Sequence, residues 1–206
     1  IKLKEKKEMA VRRALGSPTE ASLLVLAEKA GYFLYDIKRK YKKIDEYSFS
    51  SELKLMSSIC KLNGNSNSFF VFTKGAPEKI IDISSQIEIN GRIKQFAYNV
   101  KNEILGKIFT RAEEGYRILA VSYKKIDTYN KPNREEIEKD QIFLGFVSII
   151  DPLRIGVKES VEECQNGGIK VIMITGDHPA TAKTIATQMG IYKKDDFVAE
   201  GFQLKD

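Results

Sequence analysis

The run Phe69-Phe70-Val71-Phe72-Thr73-Lys74-Gly75-Ala76-Pro77-Glu78 constrains the fold more than any other stretch of the chain. Aromatic and β-branched residues suit a pleated, half-buried surface, so Phe69 to Thr73 reads as a strand. Gly75 followed by Pro77 turns that strand into a helix, whose first turn tolerates proline's missing N–H. Lys74 is thereby delivered at a strand end, next to a glycine with no Cβ to block close approach. A cation in that position suits a flat ligand carrying phosphates, although an ordinary strand-to-helix corner with a solvated lysine would use the same residues.

The rest of the composition narrows the choice. With 206 residues, 42% hydrophobic and 30% charged, the chain has material for one large or two small globular domains. Its longest strongly apolar run, Phe143 to Ile150, falls far short of the roughly 20 residues of a membrane helix. Ile1-Lys2-Leu3-Lys4-Glu5-Lys6-Lys7 lacks the apolar core of a secretion signal, and the non-methionine start suggests a segment of something longer. The net charge of +6 comes from lysines interleaved with glutamates. No basic helix with stacking aromatics accompanies them, so nucleic acid is not an expected partner, whereas a small anionic ligand is. Cys60 and Cys164 read as buried thiols in a reducing compartment, and a single histidine, His178, leaves no zinc site of ordinary composition.

Taken in order, a basic lead-in precedes Gly16-Ser17-Pro18-Thr19-Glu20, where Ser17 and Glu20 have the spacing of a capping box with Pro18 at the first helical position. The helix that follows is apolar nearly all round as far as Gly31, which predicts burial. Tyr41 to Lys61 is extended, with Phe49 among serines; an aromatic there is more often core than a ligand platform. A polar turn at 63–67 makes Leu53 to Lys61 and Phe69 to Thr73 an antiparallel pair. Asn90-Gly91 between alternating residues signals a hairpin, and a helix from about Ala97 to Glu114 leads to a strand at Tyr116 to Tyr123, with Arg117 on its polar side. An antiparallel sheet flanked by helices is the expected arrangement.

Beyond the charged stretch Lys131 to Asp140 the pattern becomes strand, helix, strand, helix. Phe143 to Ile150 and Ile169 to Ile174 are apolar throughout, as parallel strands covered on both faces are. Ligands bind at the carboxyl ends of such strands, which is where Asp151 and Thr175-Gly176-Asp177 would meet at one edge. Gly176 and the helix starting near Pro179 would offer backbone N–H groups to a phosphoryl oxygen, while Asp177 also fits a plain N-cap.

Together, Asp151-Pro152-Leu153-Arg154, Thr175-Gly176-Asp177-His178-Pro179-Ala180-Thr181-Ala182, Lys74-Gly75-Ala76-Pro77-Glu78 and Gly16-Ser17-Pro18-Thr19-Glu20 resemble the P-type cation-transporting ATPases, most closely the calcium-pump branch. The resemblance covers essentially the whole chain in the right order. It implies an α+β nucleotide-binding domain over residues 1–140, then from 141–206 part of a phosphorylation domain, a partial Rossmann-like βαβα unit of the haloacid-dehalogenase type. By the same resemblance Glu20, Phe49, Lys54, Lys74, Gly75 and Arg117 surround ATP: Phe49 stacks on adenine, Lys54 and Lys74 line the adenosine cleft, and Arg117 reaches toward the phosphates. Asp151, Arg154, Thr175, Gly176 and Asp177 would hold the γ-phosphoryl region, with Mg2+ as the accompanying ion.

Departures from the family pattern are specific. Ser51 stands where calcium pumps often carry an arginine, Leu153 replaces a usual proline and Ser17 a usual aspartate. The nucleophile loop Asp-Lys-Thr-Gly-Thr does not occur, nor does the Gly-Asp-Gly-x-Asn-Asp segment that completes the magnesium site, so the chain alone cannot form an aspartyl-phosphate. Its expected partners are therefore ATP and the remainder of the same pump, with the chain forming a cytoplasmic portion of a multi-pass membrane protein. A soluble phosphatase of the same Rossmann-like type would need its own Asp-x-Asp nucleophile, whereas a non-catalytic regulatory module would not. A two-stranded parallel unit cannot bury both faces unaided, so the part after Phe143 is expected to be incomplete or covered by a partner.

Overall fold

The computed structural model describes residues 2–4, 13–15, 17–64, 68–150, 153–176, 179–193 and 196–199. One compact unit comprises residues 1–101 and 119–149, the other 102–118 and 150–206. Asp151 and Asp177, His178, and residues 65–67 of the expected turn at 63–67 lie outside the described residues.

In chain order the elements are β1 (Lys2–Lys4), β2 (Arg13–Leu15), α1 (Pro18–Lys29), α2 (Leu34–Lys40), β3 (Tyr41–Tyr47), β4 (Leu55–Leu62), β5 (Phe69–Gly75) and α3 (Pro77–Asp82). Next come β6 (Ser84–Ile89), β7 (Arg92–Gln95), α4 (Tyr98–Glu113), β8 (Arg117–Ile126), α5 (Arg134–Ile137), β9 (Gln141–Ile149), α6 (Val157–Asn166) and α7 (Pro179–Gln188). β1 and β2 pair with each other. The remaining strands form a seven-stranded sheet in the order β3-β4-β5-β8-β9-β6-β7.

That sheet is mixed, which corrects the expectation of an antiparallel one. β3–β4, β4–β5, β5–β8 and β6–β7 pair antiparallel, but β6 and β9 are parallel. Parallel neighbours need a long connection, and β7, α4, β8 and α5 intervene between β6 and β9 in the chain. The hairpin signal behaves as read: β6 and β7 join through Asn90 and Gly91, both at positive φ (52° and 73°), the backbone that a twist-matched two-residue turn demands.

Alternation divides the β4–β5 pair into two faces. Leu55, Ser57 and Ile59 of β4 and Val71, Thr73 and Gly75 of β5 are buried on one face. Ile59 and Val71 pack there against Ile137 of α5, with Tyr47, Ile126 and Tyr129 around them. The other face carries Phe70, Phe72 and Lys74, and Tyr41 meets both rings edge-on at 5.6 and 5.7 Å. α3, which packs on β6 and β9, buries Ile80 and Ile81, and Phe143 of β9 stands opposite the buried Ile87 of β6 and stacks on Phe96, ring centroids 5.1 Å apart.

Three local expectations change. Ser17 makes no side-chain cap bond on α1, so there is no capping box; Glu20 is drawn instead to a cation, a stronger partner for a carboxylate than an amide. α1 is not buried either: only Ala21 is, and Val25 and Leu26 are exposed. Cys60 and Cys164 are free thiols but half-buried rather than buried, and partial burial raises the Cys60 thiol.

The segment after β8 is tied down by polar contacts. Tyr129 donates to Asp45 at 2.5 Å, holding that carboxyl below its ordinary value, and Tyr47 donates to the Pro132 carbonyl. Tyr123 donates to Glu88 Oε2 at 2.8 Å, and burial, then that bond, push its phenol up to about 12. Since this exceeds the ordinary value of about 10, the contribution is whole below about pH 10 and is lost as pH rises through the folded value. The stability advantage of the parent over Tyr123→Phe is therefore expected to shrink between about pH 10 and pH 12. Denaturation curves showing a constant difference across that range would refute it.

In the second unit α6 buries Val161 and α7 buries Ala186, and Gln165 donates to the Gly190 carbonyl at 3.1 Å. The expected strand Ile169 to Ile174 does not form. Its expected neighbour, Phe143 to Ile150, is instead largely β9 of the seven-stranded sheet, and Ile172 and Ile174 are exposed. The βαβα unit is accordingly not shown, and Asp151 and Asp177, which it was expected to bring to one edge, lie outside the described residues.

Candidate functional site

The register of β4 against β5 sets Leu55 opposite Gly75 and Met56 opposite Lys74. Lys54, just before β4, adopts a positive φ of 56°, and its carbonyl accepts the Ala76 N–H at 3.0 Å. This is the close approach that Gly75 serves: a Cβ on it would lie 2.2 Å from the Lys54 carbonyl oxygen and 2.8 Å from a Leu55 methyl. The missing side chain makes room for the neighbouring backbone, where the sequence suggested room for a ligand. Lys54 extends into solvent, with Glu78 of α3 at 4.0 Å.

Lys74 reaches the other way along the sequence, donating to both carboxylate oxygens of Glu20 on α1. Fifty-four residues separate the two, so a charge pair half-shielded from water draws the first turn of α1 onto the Lys74 face of β5. Lys74 is the less exposed partner, at 24% against 39% for Glu20.

Phe49 lies in the loop between β3 and β4 and is 62% exposed, which overturns its reading as core filling. The loop folds on itself: Lys54 N–H donates to the Ser50 carbonyl at 2.7 Å, Leu53 N–H to Ser50 Oγ at 3.1 Å, and Ser50 N–H to the Leu55 carbonyl at 3.2 Å. Backbone bonds thus hold the loop that bears Phe49 to the Lys54–Leu55 end of β4, against Gly75, while Lys74 in the same stretch of β5 pairs with Glu20. An aromatic ring open to solvent can stack on a planar base and a lysine can neutralise an anion, which is the chemistry an adenine nucleotide requires.

Beneath that end lies a polar network the sequence did not reveal. Glu138, 4% exposed, accepts both oxygens' bonds from Arg134 Nε at 3.0 and 2.9 Å and one from Ser57 Oγ at 2.6 Å, while Ser57 shares a 2.9 Å bond with Thr73. Arg134 also donates to the carbonyls of Ser48 (3.1 Å) and Leu55 (2.6 Å). The only signal in the sequence was an arginine and a glutamate four apart within a charged stretch that reads as a solvated connector.

Comparison with known proteins decides the family: residues 1–156 match the P-type ATPase cytoplasmic domain N. The chain belongs to the P-type ATPases. It is 35% identical to a calcium-transporting ATPase of Bacillus subtilis and 33% identical to one of Lactococcus lactis, over 93% and 92% of its length. A sodium/potassium-transporting ATPase subunit alpha-4 of Rattus norvegicus is 33% identical over 92% of the chain. The P-type ATPase chain spans about a fifth of the length of these relatives.

The remaining predicted residues of this P-type ATPase chain fall elsewhere. Arg117 opens β8 and belongs to the second unit, as do Arg154, Thr175 and Gly176. Arg154 borders an open, largely apolar cavity of about 410 Å³ beside α6. Among the described residues no three His, Cys, Asp or Glu side chains gather as a metal would require, so no set holding Mg2+ can be named. Nor is any helix among them long and apolar enough to cross a membrane.

Proposed function

We propose that this chain is the ATP-binding cytoplasmic portion of a P-type pump that passes the γ-phosphoryl group of ATP to an aspartate supplied by the rest of the protein and couples that step to cation movement. One observation supports the reading: Lys74 pairs with Glu20 from fifty-four residues away while Lys54 and the exposed Phe49 sit on the loop that closes onto the start of β4, opposite Gly75. Phe49 would stack on adenine, and Lys54 and Lys74 would neutralise and orient the nucleotide. Phosphoryl transfer is chiefly positioning and charge neutralisation, so cations held by the scaffold are what the chain needs to supply.

The resemblance alone supports the other assignments. Arg117 would act toward the phosphates, and Asp151, Arg154, Thr175, Gly176 and Asp177 would serve the γ-phosphoryl region with Mg2+. Residues 1–140 would be the nucleotide-binding domain and 141–206 part of a Rossmann-like phosphorylation domain completed by the remainder of the pump, with β9 as the passage between them. Calcium is the proposed cargo because several relatives are named calcium-transporting, although others are named sodium/potassium-transporting.

ATP titration of the chain, followed through amide resonances, is expected to move signals at residues 49–56 and 73–76. Lys74→Ala is expected to weaken binding about tenfold, the worth of one charge-assisted bond, and Phe49→Ala to weaken it comparably. Signals that stay still at those residues would remove the proposal. Reading the flanking gene for Asp-Lys-Thr-Gly-Thr and membrane segments separates a pump from a free-standing module.

A further inference from the structure

We propose that Arg134 is a positioning residue for adenine recognition: its guanidinium ties the two ends of the Phe49 loop to the buried Glu138 and so fixes where the Phe49 ring stands. The proposal rests on reading Phe49 as the adenine platform. The geometry is a three-way fork. Nη1 bonds the Ser48 carbonyl before Phe49 at 3.1 Å, Nη2 bonds the Leu55 carbonyl where the loop ends at 2.6 Å, and Nε spans both oxygens of Glu138.

Each arm has a consequence for the ring. With 62% of it in solvent, Phe49 has little packing to orient it, so the direction of its Cα–Cβ bond follows the loop backbone. That backbone closes through the Ser50 N–H to Leu55 carbonyl bond, and the same carbonyl takes the Arg134 arm. Glu138 is in turn set by Ser57, which shares its bond with Thr73, the residue before Lys74. One network thus anchors both the loop that bears the aromatic face and the strand that bears the cation. Only a planar, rigid fork can meet a carboxylate and two separated carbonyls at once; an ammonium group can keep the charge pair but not both carbonyls.

Arg134→Lys therefore separates clamp from charge. Calorimetric titration of the chain with ATP, adenosine and inorganic tripolyphosphate is expected to show ATP and adenosine bound about fivefold to tenfold more weakly by Arg134→Lys, with tripolyphosphate unchanged. In a Phe49→Ala background the same substitution is expected to change adenosine affinity less than about twofold, because the clamp acts through the ring. Parent-like adenosine binding by Arg134→Lys, or losses that multiply in the double variant, would overturn the clamp while leaving the nucleotide site intact. An adenosine affinity untouched by Phe49→Ala alone would overturn the adenine reading, and this proposal with it. Should Arg134→Lys fail to fold, Arg134→Gln combined with Glu138→Gln removes both charges together, avoiding a lone buried carboxylate, and is judged by the same comparisons.

Discussion

Gly75→Ala is expected to destabilise the sheet unit by about 3 kcal/mol, as overpacking plus the loss of one backbone bond, and to abolish ATP binding. The φ of Gly75 is not in the left-handed region, so the cost does not come from backbone strain. It comes from the 2.2 Å between the new Cβ and the Lys54 carbonyl oxygen, a distance that only parting of β4 from β5 can relieve. Parting them breaks the Ala76 N–H to Lys54 carbonyl bond and displaces Lys54 and Lys74 together. Urea denaturation would measure the loss; an unchanged midpoint would mean that the two backbones do not approach as described.

Phe143→Ala is expected to cost about 4 kcal/mol, the range for a large aromatic removed from a packed core. Phe143 is 2% exposed on β9, stacks on Phe96 and stands opposite the buried Ile87 of β6. The substitution also distinguishes two architectures. If β9 belongs to the seven-stranded sheet, the loss appears in the unfolding of that sheet, seen for example as faster amide exchange on β6 and β8. If Phe143 to Ile150 instead paired with Ile169 to Ile174, those amides would keep their protection and the prediction would fail.

Why the sheet's second half was misread follows from what periodicity carries. An unbroken apolar run suggests a strand covered on both faces, yet in β9 only Gln141 and Phe143 are buried and Leu144 is exposed; nor does the run say which neighbour supplies the hydrogen bonds. β9 is paired with β6, far upstream, at Gln141 to Phe143, and residues 169–174, however apolar, form no strand. For α1 the fault ran the other way: an apolar surface all round predicted burial, but exposure depends on what packs outside it. The extended run from Tyr41 contains β3 and the start of β4 but gives no sign of the loop that separates them at Phe49, and α2 lies ahead of it at Leu34–Lys40.

From the residues alone came the local elements and the ingredients of the site: the strand-to-helix corner at Gly75 and Pro77, the Asn90-Gly91 hairpin, and the family to which the spaced motifs belong, since short-range dihedral preferences and motif order are written in adjacent residues. Folding in three dimensions decided the rest. It made Glu20 the partner of Lys74 instead of a helix cap, turned Phe49 outward, set Gly75 against the Lys54 backbone, and closed the Arg134 network beneath them. Those outcomes depend on which distant groups compete for the same charge, carbonyl or strand edge, and such competition is settled only once the sheet has brought them together.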